Sequence, residues 1–414
     1  MIRRERVVSR LLILGLNFHP EMVGIGKYTG DLADYLVEQG YEIRVVAAPP
    51  YYPEWKIREG YSSFNYLNES NEGITIYRCP IWVPRRPTNI TRVLHLISFA
   101  VSSAPILMSQ IFWKPDLVLC VVPTLLTAPF AWLAARLSGA KCWLHIQDFE
   151  LDAASKLGML PGVNKFVGFF ERIIFTRFDR VSTISESMLR LLLKKGVSAQ
   201  KGILFPNWVD TKSVFPRSDD NLRDELSITS DQLVVLYSGS MGAKQGLEIL
   251  VEVARQLESH REIVFVLCGE GPVRNELIDR ARDLPNVRFL PLQPMDKLNP
   301  LLNTADIHIL PQKADVADLV MPSKLLGMLA SGKTIIATAM PETEIGRVVG
   351  RVGVLVPPGN SAALCEAILG LSKSTKQLKY LGESGRSYVC DNWGKDMVLQ
   401  KFLKQMDDLL QKGN

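Results

Sequence analysis

Short apolar runs alternate with segments of helical periodicity along the whole chain, and they do so in two blocks. The first block has runs at 11–16, 43–47, 117–121, 141–145, 180–183 and 203–205; the second has runs at 234–237, 264–268, 287–290, 307–310, 334–337 and 354–356. Strand and helix in strict alternation predict parallel, doubly wound sheets, and two blocks predict two of them. A chain of 414 residues is also too long for one ordinary core,. The segment "FPNWVDTKSVFPRSDDN", 205–221, has two prolines and clustered polar residues and reads as the linker,. The expected organisation is a first domain over 1–205, a second over 206–391, and a C-terminal helix over 392–414 packing back on the first. In such sheets ligands bind beyond the carboxyl ends of the strands, so the strand-to-helix loops are where chemistry is to be sought.

Charge separates the halves. Residues 1–205 carry 24 Lys and Arg against 17 Asp and Glu, a net +7, whereas the rest carries 24 against 26. A basic half suits an anionic partner: lipid headgroups, a phosphorylated acceptor or nucleic acid. No recognised nucleic-acid motif accompanies the charge, so that partner is not expected. The six cysteines are scattered with neither disulfide nor zinc spacing, as expected of a chain working in a reducing cytoplasm,. The opening "MIRRERVVSRLLILGLNF" has an apolar run too short for a signal peptide,. Residues 93–113, "VLHLISFAVSSAPILMSQIFW", lack any formal charge and follow Arg85, Arg86 and Arg92. His95, Gln110, several serines and Pro105 argue for a buried or membrane-resting helix over a spanning one. "NKFVGFFERIIFTRFDR", 164–180, interleaves Phe and Ile with basic residues and fits a core-facing helix or an anionic membrane surface,.

Four loops stand out. "NFHPEMVGIGKYTGDLADYL" sets Gly24, Ile25 and Gly26 ahead of a helix expected from about Lys27, where glycines admit a ligand to the backbone,. A dinucleotide fingerprint would follow the strand directly and find an acid after the second strand; neither feature is present, which disfavours NAD. "YSGSMGAKQGLEIL" places Gly239, Ser240, Gly242 and Gly246 around Lys244, either a phosphate clamp or a solvated turn lysine,. "VLCGEGPVRNEL" makes a tight turn of Gly269, Glu270 and Gly271, with Pro272 expected to start a helix. In "VMPSKLLGMLASGKTIIAT", Pro322 suits a first helical position, and Gly332 suits the stop,. Ser323 and Lys324 either cap this helix or join its amides in holding an anion.

Taken together, "YSGSMGAKQGLE", "CGEGPVRNEL", "TADIHILPQ" and "MPSKLLGMLASG" resemble family 4 of the retaining glycosyltransferases. The resemblance covers nearly the whole chain. The first-half stretches "FHPEMVGIGKYTGDLADYL", "LHIQDFELDA" and "FPNWVD" look most like the fucosyltransferases of colanic acid gene clusters. The resemblance implies a GT-B fold: two doubly wound, parallel-sheet, Rossmann-like α/β domains facing a central cleft, with 1–205 binding the acceptor and 206–391 binding the nucleotide sugar. It also implies transfer of a sugar, fucose from GDP-fucose in the narrower match, to a polyprenyl-diphosphate-linked glycan in exopolysaccharide or lipopolysaccharide assembly. The enzyme would be peripheral at the inner face of the plasma membrane. By this likeness Lys244 and 321–324 (Met321, Pro322, Ser323, Lys324) meet the donor diphosphate, Gly24 to Gly26 approach it from the first domain, and Gly269, Glu270, Gly271 and Pro272 border the base. His145 and Asp148 would lie near the transferred sugar. Two glutamates common in the family are replaced here by Leu319 and Gly327, leaving Asp318 as the nearby acid for the ribose. Asp-x-Asp does not occur in the sequence and no ligand spacing suggests a metal, so transfer is expected to need no metal and no cofactor,. The rival expectations are a GT-B sugar-nucleotide epimerase and a nucleotide-binding subunit without turnover.

Overall fold

The computed structural model describes residues 9–21, 24–123, 125–149, 163–218, 221–313 and 322–411. It divides into two compact units, Met1–Pro206 with Leu399–Asn414, and Asn207–Val398.

In the first unit, β1 (Arg10–Gly15), β2 (Glu42–Ala47), β3 (Leu67–Asn71), β4 (Ile74–Arg78), β5 (Leu117–Val122), β6 (Lys141–Ile146), β7 (Arg180–Thr183) and β8 (Gly202–Leu204) form one sheet in the order β3-β4-β2-β1-β5-β6-β7-β8. Neighbours are parallel except β3 and β4, an antiparallel pair. This hairpin is absent from the expected strands. "ITIYR" alternates buried and half-buried residues as an edge-proximal strand does, but "LNESN" has no apolar pattern and is a strand only through its pairing,. The central strands β1 and β5 are buried almost end to end, which explains their continuous apolar reading,. Helices α1 (Gly24–Glu38), α2 (Asn89–Ser109), α3 (Ala128–Ser138) and α4 (Val163–Arg177) join the strands. From residue 399 onward the last helix (Lys395–Gln411) belongs to this unit: Phe402 packs on Trp143 and stacks on Phe205, and the Tyr41 hydroxyl bonds Asp407.

The second unit has a fully parallel sheet of β9 (Leu233–Ser238), β10 (Ile263–Cys268), β11 (Val287–Leu290), β12 (Ile307–Pro311), β13 (Thr334–Thr338) and β14 (Val354–Val356), ordered β11-β10-β9-β12-β13-β14. Chain order reverses between β9 and β12. Helix α5 (Ser323–Ala330) covers β13 by burying Leu325, Leu326, Met328 and Leu329, each contributing about 1.5–3 kcal/mol,. Ser331 ends it, and Gly332 follows at φ +68,. The linker segment is fastened to this unit through Phe215 and Arg217, whose amides donate to Asn299 and Asn303.

Candidate active site

The loops beyond β9 and β10 are sewn together by backbone alone. Gly239 N donates to Cys268 O at 3.0 Å, Met241 N to Glu270 O at 2.8 Å, and Val273 N to Met241 O at 3.2 Å. Gly269 and Gly271 both have φ near +150, and a Cβ on Gly269 would lie 1.9 Å from Gly239 O. No side chain fits there, so the two loops present backbone rather than side chains to whatever lies above them. Glu270, Pro272 and Ser240 are exposed on this rim. The helix expected at Pro272 begins at Arg274, because the Arg274 amide first closes a turn onto Gly271 O.

Helix α5 brings Lys324 onto the same platform. Its stem lies across Gly239, where a Cβ would approach Lys324 Cδ to 3.3 Å. Nζ donates to the Tyr237 hydroxyl at 3.2 Å and sits 4.6 Å above the Tyr237 ring centroid. Tyr237 in turn donates to Ser240 O at 2.5 Å. Burial holds the Lys324 ammonium down at about 8, and among the described residues no carboxylate compensates it. Pro322 stands at the N-cap and not at the first helical position, and neither it nor Ser323 caps the helix through a side chain. Among the described residues nothing compensates this cation or caps the helix through a side chain, and a first-turn ammonium over glycine backbone is chemically suited to a phosphate group,. Tyr237 was missed by sequence reasoning. Its only signal there is a tyrosine ending an otherwise aliphatic strand, two residues before Gly239.

Lys244 lies in the 3-10 turn Ala243–Gln245, followed by Gly246 at φ +65; its side chain is outside the described residues. So are Asp318, Leu319 and Met321. Lys313, just beyond β12, pairs with Glu248 at 2.8 Å.

In the first unit, α1 starts at Gly24 and not at Lys27, so Gly24, Ile25 and Gly26 form its first turn. Glu21 packs against that turn. This buried carboxylate accepts from the Tyr51 and Tyr52 amides at 2.9 Å each and from Asn17 Nδ2 at 2.9 Å, and a Cβ on Gly26 would meet it at 2.9 Å. Burial raises the Glu21 pKa against these hydrogen bonds. Glu21 therefore leaves no room for a side chain at Gly26, a constraint with no sequence signature.

His145, near the end of β6, is buried with both ring nitrogens engaged: Nδ1 with Ser182 Oγ at 2.9 Å and Nε2 with Gln147 Nε2 at 2.9 Å. With Gln147 donating to Nε2, the ring proton is on Nδ1 and goes to Ser182, which also accepts from Trp143 Nε1,. Burial depresses its pKa to about 3, so the ring is neutral across the physiological range. Asp148 is exposed and lines a small cavity with Val122, Phe149 and Glu171; Glu171 is buried and paired with Lys195 at 2.5 Å. No group of three or more His, Cys, Asp or Glu side chains among the described residues could hold a metal ion.

The chain matches the model of the glycosyl transferase 4-like domain over residues 23–208 and that of the glycosyl transferases group 1 over residues 232–374. It is 40% identical over 410 residues, 96% of this chain and 99% of the relative, to an Escherichia coli protein named as the colanic acid biosynthesis glycosyl transferase WcaI. A Pseudomonas aeruginosa protein named as glycosyltransferase WbjE is 25% identical over 70% of this chain and 73% of its own length. Among solved structures, sucrose-phosphate synthase of Thermosynechococcus elongatus superposes with TM-score 0.74 at 16% identity, covering 98% of this chain and 100% of that one. Anabaena HepE in complex with UDP and glucose superposes with TM-score 0.67 at 14% identity, covering 97% and 100%. These neighbours share the GT-B fold.

Proposed function

Because this chain belongs to the glycosyl transferase 4-like and group 1 family, we propose that it transfers a sugar from a nucleoside-diphosphate donor, with retention and without a metal, to a lipid-linked glycan. The relative named for colanic acid biosynthesis supports exopolysaccharide assembly as the setting, with GDP-fucose as the donor to test first. The work would then be done at the cytoplasmic face of a membrane, where a lipid-linked acceptor is anchored.

The carrying observation is Lys324, a partly buried ammonium over glycine backbone with no carboxylate beside it among the described residues. As the bond from the anomeric carbon to the diphosphate breaks, positive character grows on the sugar and negative charge on the departing oxygen. Lys324 and the start of α5 supply stabilisation already in position, so nothing reorganises as charge develops. Lys244 and Met321, with Pro322 and Ser323, complete the diphosphate cradle; Gly269, Glu270, Gly271 and Pro272 border the base; Asp318 takes the ribose. In the first unit Gly24, Ile25 and Gly26, the last packed against Glu21, offer helix-start backbone to a phosphate,. His145 acts as a neutral positioning group through Gln147, and Asp148 lies beside it near the transferred sugar.

The test is calorimetric titration of GDP, UDP and ADP, with and without EDTA, into the wild-type protein and the Lys324→Ala and Lys244→Ala variants. The reading requires one nucleotide to bind without metal and both variants to weaken it. Binding equal in wild type and Lys324→Ala removes its foundation.

A further inference from the structure

Helix α2 is apolar on both faces. It begins where Thr88 and Thr91 form a reciprocal capping box. Its inner face buries Phe99, Ala100 and Leu107 together with its polar groups: His95 is buried and bonds Trp82 O at 2.7 Å, Ser103 is fully buried, and Gln110 just beyond it accepts from Arg44 at 2.9 Å. Its outer face is apolar. Ile90, Val93, Leu94, Ile97 and Val101 repeat at helical spacing and are exposed, Ile90 by 67% and Val101 by 64%. Such a stripe normally faces a core, and here the core side is already occupied.

Aromatic residues flank the stripe. Trp82 is exposed by 46% and its amide donates to Ser98 on the helix, while exposed Tyr66 donates its hydroxyl to Ser102 O at 2.9 Å. Exposed Arg85 and Arg86 lie immediately before the helix, and Arg92 in its first turn stacks on Trp55 at 5.6 Å. From residue 73 to 115 the sequence contains no Asp or Glu but five Lys and Arg. Ile90–Trp113 is long and apolar enough to cross a bilayer by composition. Yet its polar side chains are bonded into the first unit, so this helix lies along a surface and does not span.

We infer that the outer face of α2, with Trp82, Tyr66, Arg85 and Arg86, docks the first unit onto an anionic lipid bilayer. Apolar side chains enter the headgroup boundary, amphipathic rings sit at its level, and arginines meet the lipid phosphates. The absence of acid over the whole segment favours this occupant over a second copy, whose own arginines would repel. The inference rests on the membrane part of the proposed function and not on the transfer chemistry.

The test is co-sedimentation of the full chain with vesicles of phosphatidylcholine plus phosphatidylglycerol, and with vesicles of phosphatidylcholine alone. The expected result is preferential binding to the anionic vesicles, weakened by salt. Ile97→Glu and Val101→Glu should each weaken it about tenfold or more, about 1.4 kcal/mol. Arg85→Ala and Arg86→Ala should each cost about fivefold. Circular dichroism and nucleotide titration of the same preparations establish that the variants are folded, since these side chains are exposed. Vesicle binding that persists while no nucleotide binds upholds this surface and overturns the transferase reading. Wild type that binds nucleotide but ignores anionic vesicles overturns the surface. So does equal binding by Ile97→Glu, or a wild-type dimer that Ile97→Glu converts to monomer.

Discussion

Replacing Lys324 by methionine should make the protein more stable while removing its donor affinity. The fall of the ammonium from its ordinary 10.5 to about 8 is caused by burial and corresponds to roughly 3 kcal/mol of unfavourable charge burial at neutral pH. Methionine keeps most of the stem over Gly239 but gives up the bond to Tyr237 and the contact with its ring, about 1 kcal/mol each,. The net expectation is a gain of about 1 kcal/mol at pH 7. The pH dependence has a definite sign. Between pH 8 and 10.5 the unfolded lysine holds a proton that the folded one has released, so wild-type stability rises with pH across that window,. The variant lacks this contribution, so its advantage should vanish within that window and the wild type should be the more stable protein by pH 10,. The assay is denaturant unfolding of both proteins at pH 7 and pH 10, followed by nucleotide titration. Nucleotide affinity of the wild type should fall over the same window, as the cation that holds the phosphate discharges. A methionine variant less stable at pH 7 by 2 kcal/mol or more, with no gain of the wild type over it at high pH, would refute the uncompensated cation and the phosphate role built on it.

Three other outcomes follow from the geometry. Gly269→Ala forces a Cβ to 1.9 Å from Gly239 O at φ +150; a loss of about 3 kcal/mol or more by thermal unfolding is expected, together with nucleotide affinity. Glu21→Ala strands the Tyr51 and Tyr52 amides and should cost about 2–4 kcal/mol, whereas Glu21→Gln keeps an acceptor for both and should recover most of it, read by denaturant midpoint and by KM for the donor. His145 and His308 are both buried and depressed to about 3. Unfolding lets them take up protons below pH 6.5, so stability should fall as pH drops from 6.5 towards 3; an acid limb of the same slope in a His308→Gln variant would contradict this for the second unit.

The parts of this fold readable from sequence are those governed by local periodicity. Strands such as β5 and β10 are buried on both faces, so their composition alone announces them. Gly332 at φ +68 and the turn at Gly269 and Gly271 were legible because backbone of that kind tolerates little else,. Hairpin strand β3 was not legible, since "LNESN" becomes a strand only by pairing with β4. The start of α1 at Gly24 was not legible either, and neither was the packing of Gly26 against the carboxylate five residues earlier, which leaves no room for a side chain there.

The site divides in the same way. Sequence determined that glycine loops and a Pro-Ser-Lys helix start lie at strand ends, because chain order fixes which loop follows which strand. It also determined that residues 93–113 carry no charge, but not which way the helix faces. Tertiary structure decided that Lys324, 85 residues beyond Gly239, rests on it above Tyr237; that His145 has both nitrogens engaged; and that α2 buries His95 and Ser103 while leaving Val93, Leu94, Ile97 and Val101 exposed. Each of these depends on what a side chain meets across space. Burial, pKa and unsatisfied charge are set by such neighbours, and the linear spacing of residues does not contain them.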